Sequence, residues 1–160
     1  MKKFCSAILA LVAVSGAIGN AQTLHVRLLN GSSGKPISNA YINVWVDDQR
    51  KEAIPISIDS NGDAILRLTG DATDKGVPAA SANLPTFPYA SEIKIQVGFA
   101  LCQVKQQKYS WLQITPYSTE HWIRAGIMTA NTCGKAIAKP EPGVLVIFVR
   151  PLNFWEKLSQ

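Results

Sequence analysis

Few residues of this 160-residue chain are of a type and spacing that could do chemistry. Its two histidines, His25 and His121, stand almost a hundred positions apart and belong to no His-x-His or His-Glu-x-x-His pair, the spacings that bring two imidazoles to one metal. No Gly-x-Ser-x-Gly turn is present to expose a serine nucleophile. Asp59, Asn61 and Asp63 alternate as the first ligands of a calcium loop do. The glycine and glutamate that such a loop needs further on are missing, so the stretch reads as a turn. No catalytic residue, metal ligand set or cofactor is therefore expected. What remains is one pair of thiols, Cys102 and Cys133, and a set of aromatic side chains. Tyr41, Trp45, Phe87, Tyr89 and Trp155 are the candidate binding surface, because strand alternation, a loop or a terminus would leave each of them wet.

The compartment decides how the cysteines are read. Met1-Lys2-Lys3 is basic, 8–18 is an apolar run broken only by Ser15 and Gly16, and Gly19-Asn20-Ala21 supplies a small-x-small site, which together make a secretory leader cut after Ala21. The run is shorter than the roughly 20 apolar residues of a membrane span, and no later stretch supplies them. A secreted or periplasmic product starting at Gln22 is expected, 139 residues long and organised as one domain over 22–160. Cys5 precedes the apolar run and leaves with the leader. Cys102 and Cys133 are then the one pair in an oxidising compartment, where a disulfide is the default. Losing Lys2 and Lys3 takes the formal net charge from +5 to +3, fourteen basic residues against eleven acidic ones, and these are interspersed rather than gathered in a block. Nucleic acid is not an expected partner.

The elements that must position these residues read mostly as strands. Leu24, Val26 and Leu28 alternate with His25 and Arg27, the period of a strand buried on one face. After the turn chemistry of Gly31-Ser32-Ser33-Gly34-Lys35-Pro36, Ala40, Ile42, Val44 and Val46 take one face and Tyr41, Asn43 and Trp45 the other. Two aromatics on a nominally wet face call for a covering segment or a recognition strip, and a cover from the second half of the chain is expected. Ile54, Ile56 and Ile58 flank Pro55, which argues for an edge strand. Asn61-Gly62 signals a hairpin into Ala64, Leu66 and Leu68.

Gly34-Lys35-Pro36-Ile37, Ala40-Tyr41-Ile42-Asn43-Val44 and Asp59-Ser60-Asn61-Gly62, in that order over 26–68, resemble the carboxypeptidase regulatory-like domain of the transthyretin-like proteins. Ile58 stands where that family has a threonine. The resemblance covers about a third of the exported chain. It implies an antiparallel immunoglobulin-like or transthyretin-like β-sandwich of about seven strands with no catalytic residues of its own. The same opening also resembles the sandwich of the intradiol dioxygenases, which hold iron with two tyrosines and two histidines, but this chain lacks the paired histidine motif.

The second half begins with a Gly-, Ala-, Ser- and Pro-rich loop over 70–90, long for a connection inside a domain. One long strand is expected over 93–101, leaving Cys102 on its outward parity, followed by a polar tip over 103–108 and a strand over 109–115 that stops at Pro116. A short helix over 118–125 has Ser118 as its cap, Glu120 and Arg124 at the ends that suit their charge and Gly126 as its stop. With Trp122 and Ile123 as anchors, it is expected to lie as a lid on the outer face of one sheet, tied down by a disulfide whose loop is worth roughly 3–4 kcal/mol. Val144-Leu145-Val146-Ile147-Phe148-Val149 has no alternation and reads as a central strand buried on both faces. The aromatic tail over 152–158 is amphipathic, and any binding site is expected at the lid's rim, near the 70–90 loop and this tail.

These features imply an exported, non-enzymatic module with a binding or structural role in the cell envelope or outside the cell, toward an unknown protein or glycan partner. Carbohydrate binding through exposed aromatics is the alternative within that class, and a metal-dependent enzyme on a dioxygenase-like sandwich the alternative outside it. N-terminal sequencing of the exported product is expected to start at Gln22; a retained 1–21 segment would remove the leader and the oxidising compartment with it.

Overall fold

The computed structural model describes residues 22–46, 52–69, 86–103 and 112–158. The leader, most of the 70–90 loop and the 104–111 stretch with Trp111 lie outside the described residues. What is described is mainly β, with two sheets and two short helices. One sheet has the strand order β5 (Thr86–Pro88), β4 (Asp63–Thr69), β1 (Gln22–Asn30), β10 (Val144–Arg150), β7 (Ala100–Leu101), with β9 (Ile127–Met128) also on β10. The other has the order β3 (Ile54–Ser57), β2 (Tyr41–Val46), β6 (Glu92–Val97), β8 (Thr115–Ser118). The helices are α1 (Thr119–Ala125) and α2 (Phe154–Leu158).

The alternation read from the sequence is what joins the sheets. Leu24, Val26 and Leu28 of β1 and Ala64, Leu66 and Leu68 of β4 meet Ile42, Val44 and Val46 of β2 and Ile93, Ile95 and Val97 of β6 in a single buried cluster. Burial of this apolar set is the main stabilising term of the fold. Pro55 sits in the edge strand β3, opposite Asn43, where a missing N–H costs no ladder bond.

Several expectations need correction. The Asn61-Gly62 turn forms, with Gly62 at φ +83 and Asp59 Oδ1 accepting the N–H groups of Asn61 and Asp63 at 2.8 and 2.9 Å. It does not make a hairpin, because β3 and β4 belong to different sheets and the turn carries the chain between them. The single strand over 93–101 is two: β6 ends at Val97, and β7 pairs with β10 in the other sheet. Val97 and Leu101 both face the common cluster, with Phe99 packed on it, so the alternation runs on through the crossing and hides it. Strand β8 starts at Thr115 and runs through Pro116, which is tolerated because β8 is an edge. The first sheet is mixed rather than antiparallel, since β1 runs parallel to β10 and β4 parallel to β5.

Strand β10 is buried on both faces, as its lack of alternation requires. Leu145, Ile147 and Val149 enter the main cluster. Val144, Val146 and Phe148 form a second one with Leu29 and Cys102, against which Cys133, Ala136 and Ala138 pack. The cover on this outer face is thus the irregular 129–138 segment, not the helix. Cys102–Cys133 is a disulfide, with its Cα atoms 5.3 Å apart, and it staples that segment down. Gly31 is the one residue type that fits beneath the staple: a Cβ there would meet Asn131 Oδ1 at 2.5 Å and Cys102 Sγ at 2.8 Å. The Thr129 hydroxyl fills the gap between β9 and β7 along β10, accepting the N–H of Phe148 at 3.1 Å.

Helix α1 forms where its signals place it. The Ser118 side chain accepts the His121 N–H, Glu120 and Arg124 pair at 3.1 Å, and Gly126 ends the helix at φ +73 with the Glu141 backbone pressed against it. Its anchor Trp122 is fully buried, but in the main cluster rather than on the outside of a sheet. The lid is therefore a plug. Trp122→Ala is expected to cost about 3–5 kcal/mol by chemical denaturation. Trp122→Phe should cost clearly less, because it keeps an aromatic ring and deletes an Nε1–H that has no hydrogen-bond partner among the described residues. Equal losses for the two would show that the ring's volume is not what is held there.

Candidate functional site

The 129–138 segment lies on the first sheet and α1 plugs the core, so neither of them covers the outer face of the second sheet. Its residues follow from pleating: since Ile42, Val44 and Val46 point inward, Tyr41, Asn43 and Trp45 point outward. The register then fixes their neighbours. Asn43 lies opposite Gln96 on one side and Pro55 on the other, Trp45 opposite Lys94, and Tyr41 opposite Ser57. Lys94 in turn lies opposite Pro116 of β8.

The strip has a definite chemistry. Tyr41 is 60 % exposed and Trp45 is half-buried. Between them Asn43 Nδ2 donates to Gln96 Oε1 at 3.2 Å, and Gln96 Nε2 donates to the Leu112 carbonyl at 3.3 Å. Lys94 and Glu92 pair at 3.9 Å. Two aromatic rings thus flank a hydrogen-bonded amide pair on one sheet face. The aromatics and Asn43 were legible from alternation alone. Gln96 and Lys94 were not, because nothing local to β2 shows that β6 is its partner or in which register.

The other candidate residues lie elsewhere. Phe87 is a correction: β5 pairs with β4 so that Phe87 sits beside Leu68, facing inward at 1 % exposure, and it belongs to the core rather than to a surface. Tyr89 follows β5 and is 49 % exposed. Trp155 is 76 % exposed on α2, edge-on to Phe154 with ring centroids 5.4 Å apart. Tyr41 and Trp45 are the two that share a strand face. The cover expected over them is not formed by α1.

Helix α2 is only five residues long, but it is firmly set. Asn153 and Glu156 cap it reciprocally, the Asn153 N–H donating to Glu156 Oε2 at 2.8 Å and the Glu156 N–H to Asn153 Oδ1 at 2.9 Å. Arg150 at the end of β10 adds two hydrogen bonds to the same carboxylate, at 2.8 and 2.7 Å. One carboxylate thereby joins the tail to the central strand. On the outer face of the first sheet, the disulfide-tied segment leaves a cleft of about 200 Å³ lined by Met128, Asn131, Lys135, Ile137 and Phe148.

His25 lies on the outer side of β1 and His121 is exposed on α1. Among the described residues no three His, Cys, Asp or Glu side chains gather into a group that could hold a metal ion. Asp63 instead receives Arg27, whose Nε donates at 2.8 Å and whose Nη2 donates at 3.1 Å. No helix among the described residues is long and apolar enough to cross a membrane. Comparison with protein-family models, with curated proteins and with solved structures found no match.

The Arg150 hydrogen bonds hold Glu156 below the usual carboxylate range. A depressed folded value means that the tie is at full strength above the ordinary glutamate pKa of about 4.3 and weakens as pH falls through the lower folded value. The indole N–H resonance of Trp155 should therefore move on acidification below that range. In Glu156→Gln the movement should be absent, with the tail already in its low-pH state at neutral pH; a shift that survives the substitution would assign the titration to another group.

Proposed function

We propose that the chain is an exported, non-enzymatic β-sandwich module with a binding role in the cell envelope or outside the cell, and that it binds through the outer face of its second sheet. The observation that carries the reading is the Tyr41–Asn43–Trp45 strip, two rings and an amide held in register by β3 and β6 with Tyr41 largely in solvent. The leader read over 1–21 and the Cys102–Cys133 disulfide support an oxidising destination. Two sheets meeting in one apolar cluster support the sandwich, as does the resemblance of 26–68 to the carboxypeptidase regulatory-like domain. In that arrangement the core and staple supply rigidity and the strip supplies recognition. A rigid flat face loses little conformational entropy on binding, which favours such a surface over a mobile loop.

The test is subcellular. The oxidised protein is expected outside the cytoplasm and to co-sediment with washed cell-envelope material. The double variant Tyr41→Ala/Trp45→Ala should fold with its disulfide intact and remain in the supernatant. Co-sedimentation that is indifferent to both substitutions would move the binding surface away from the second sheet.

A further inference from the structure

The chemistry of the strip narrows the ligand beyond the binding role on which this inference rests. We infer that the outer face of the second sheet is a binding site for a neutral, extended oligosaccharide, with Tyr41 and Trp45 as the stacking rings and Asn43 and Gln96 as the hydroxyl-binding pair between them.

Three observations converge on that class. The first is spacing. Tyr41 and Trp45 are four residues apart on one face of β2, hence roughly 13 Å apart along the strand. That is too far for both rings to stack on one small planar ligand, and it suits a short chain of several pyranose units laid along β2, each ring meeting the apolar C–H face of a different unit.

The second is the hydrogen-bonding capacity left between the rings. Asn43 spends one N–H on Gln96, keeping its carbonyl oxygen and its other N–H. Gln96 spends one N–H on Leu112 and accepts once from Asn43, keeping an N–H and a lone pair. The pair therefore presents donors and acceptors together. A phosphate or carboxylate would use donors alone and a cation acceptors alone, whereas a sugar hydroxyl is both.

The third is charge. Among the described residues of this face the cation is Lys94 and the anion is Glu92, and they pair with each other at 3.9 Å. The described charges of this face thus balance although the chain is basic, which matches an uncharged ligand. Tyr41 at 60 % exposure has room for a sugar ring against it.

The experiment titrates the purified, oxidised protein with four hexasaccharides: β-1,4-linked glucose, β-1,4-linked N-acetylglucosamine, α-1,4-linked glucose and the acidic α-1,4-linked galacturonate. At least one neutral sugar is expected to bind, with a dissociation constant of about 1 mM or tighter, and to shift the Trp45 indole N–H resonance. Tyr41→Ala should weaken that binding at least tenfold, or by about 1.4 kcal/mol, while Tyr41→Phe retains it. Asn43→Ala, a change outside the core, should also weaken it. No saturable binding of any neutral sugar, binding of the galacturonate alone, or binding unaltered in Tyr41→Ala would overturn the inference. If the sugars fail while Tyr41→Ala/Trp45→Ala still releases the protein from envelope material, the face binds a ligand of other chemistry and the proposed function stands without the glycan.

Discussion

Strand β10 has no polar face, and the rest of the molecule is arranged to meet that constraint. Six consecutive apolar residues, Val144 to Val149, must lose water on both sides, so a single opposing sheet cannot satisfy them. The inner side is met by the common cluster and by Trp122 driven into it from α1. The outer side is met by the 129–138 segment, which has almost no regular structure. Its attachment is local and redundant. The disulfide fixes one point, the Thr132 N–H and hydroxyl both donate to the Cys102 carbonyl at 2.8 Å, and Asn131 Nδ2 ties the carbonyls of Gly31 and Ala136 at 2.8 Å each. Gly31, lacking a side chain, lets this staple lie flat on the end of β1.

The sequence was informative wherever one residue's neighbours decide its environment. Alternation placed Leu24, Ile42, Leu66 and Ile93 in the core, the run 144–149 declared a strand buried twice, and Ser118 and Gly126 bracketed α1. The pairing of Cys102 with Cys133 followed from number and compartment. What failed was long-range. No local pattern tells that β1 and β10, more than a hundred residues apart, lie side by side in parallel, or that Val97 and Leu101 belong to different sheets. The covering segment was misassigned for the same reason. A helix with a tryptophan looks like the better lid, yet small residues such as Ala136 and Ala138 are what fit closely against a strand. Phe87 was misplaced because a three-residue strand carries too little alternation to announce its inner side.

The candidate site follows from the same division of labour. Because the first sheet carries its own cover and α1 is spent on the core, neither covers the outer face of the second sheet, and β2 sets Tyr41, Asn43 and Trp45 on that face while its other side is anchored in the cluster. Recognition residues are thereby mounted on the most constrained part of the chain rather than on its loops. The tail is the counterpart: exposed apolar side chains, Phe154, Trp155 and Leu158, on a short helix joined to β10 through the Glu156 carboxylate.

Pro55, Pro116 and Pro88 stand in β3, β8 and β5, the outermost strands at both margins of the second sheet and at one margin of the first. The remaining margin is shared by two strands of only two residues each. A foreign chain that tried to extend either sheet would meet an absent amide hydrogen or a template too short to hold it. Among the described residues each sheet margin therefore carries a feature that disfavours growth of one molecule onto the next by backbone pairing, the route by which β-rich chains seed fibrils.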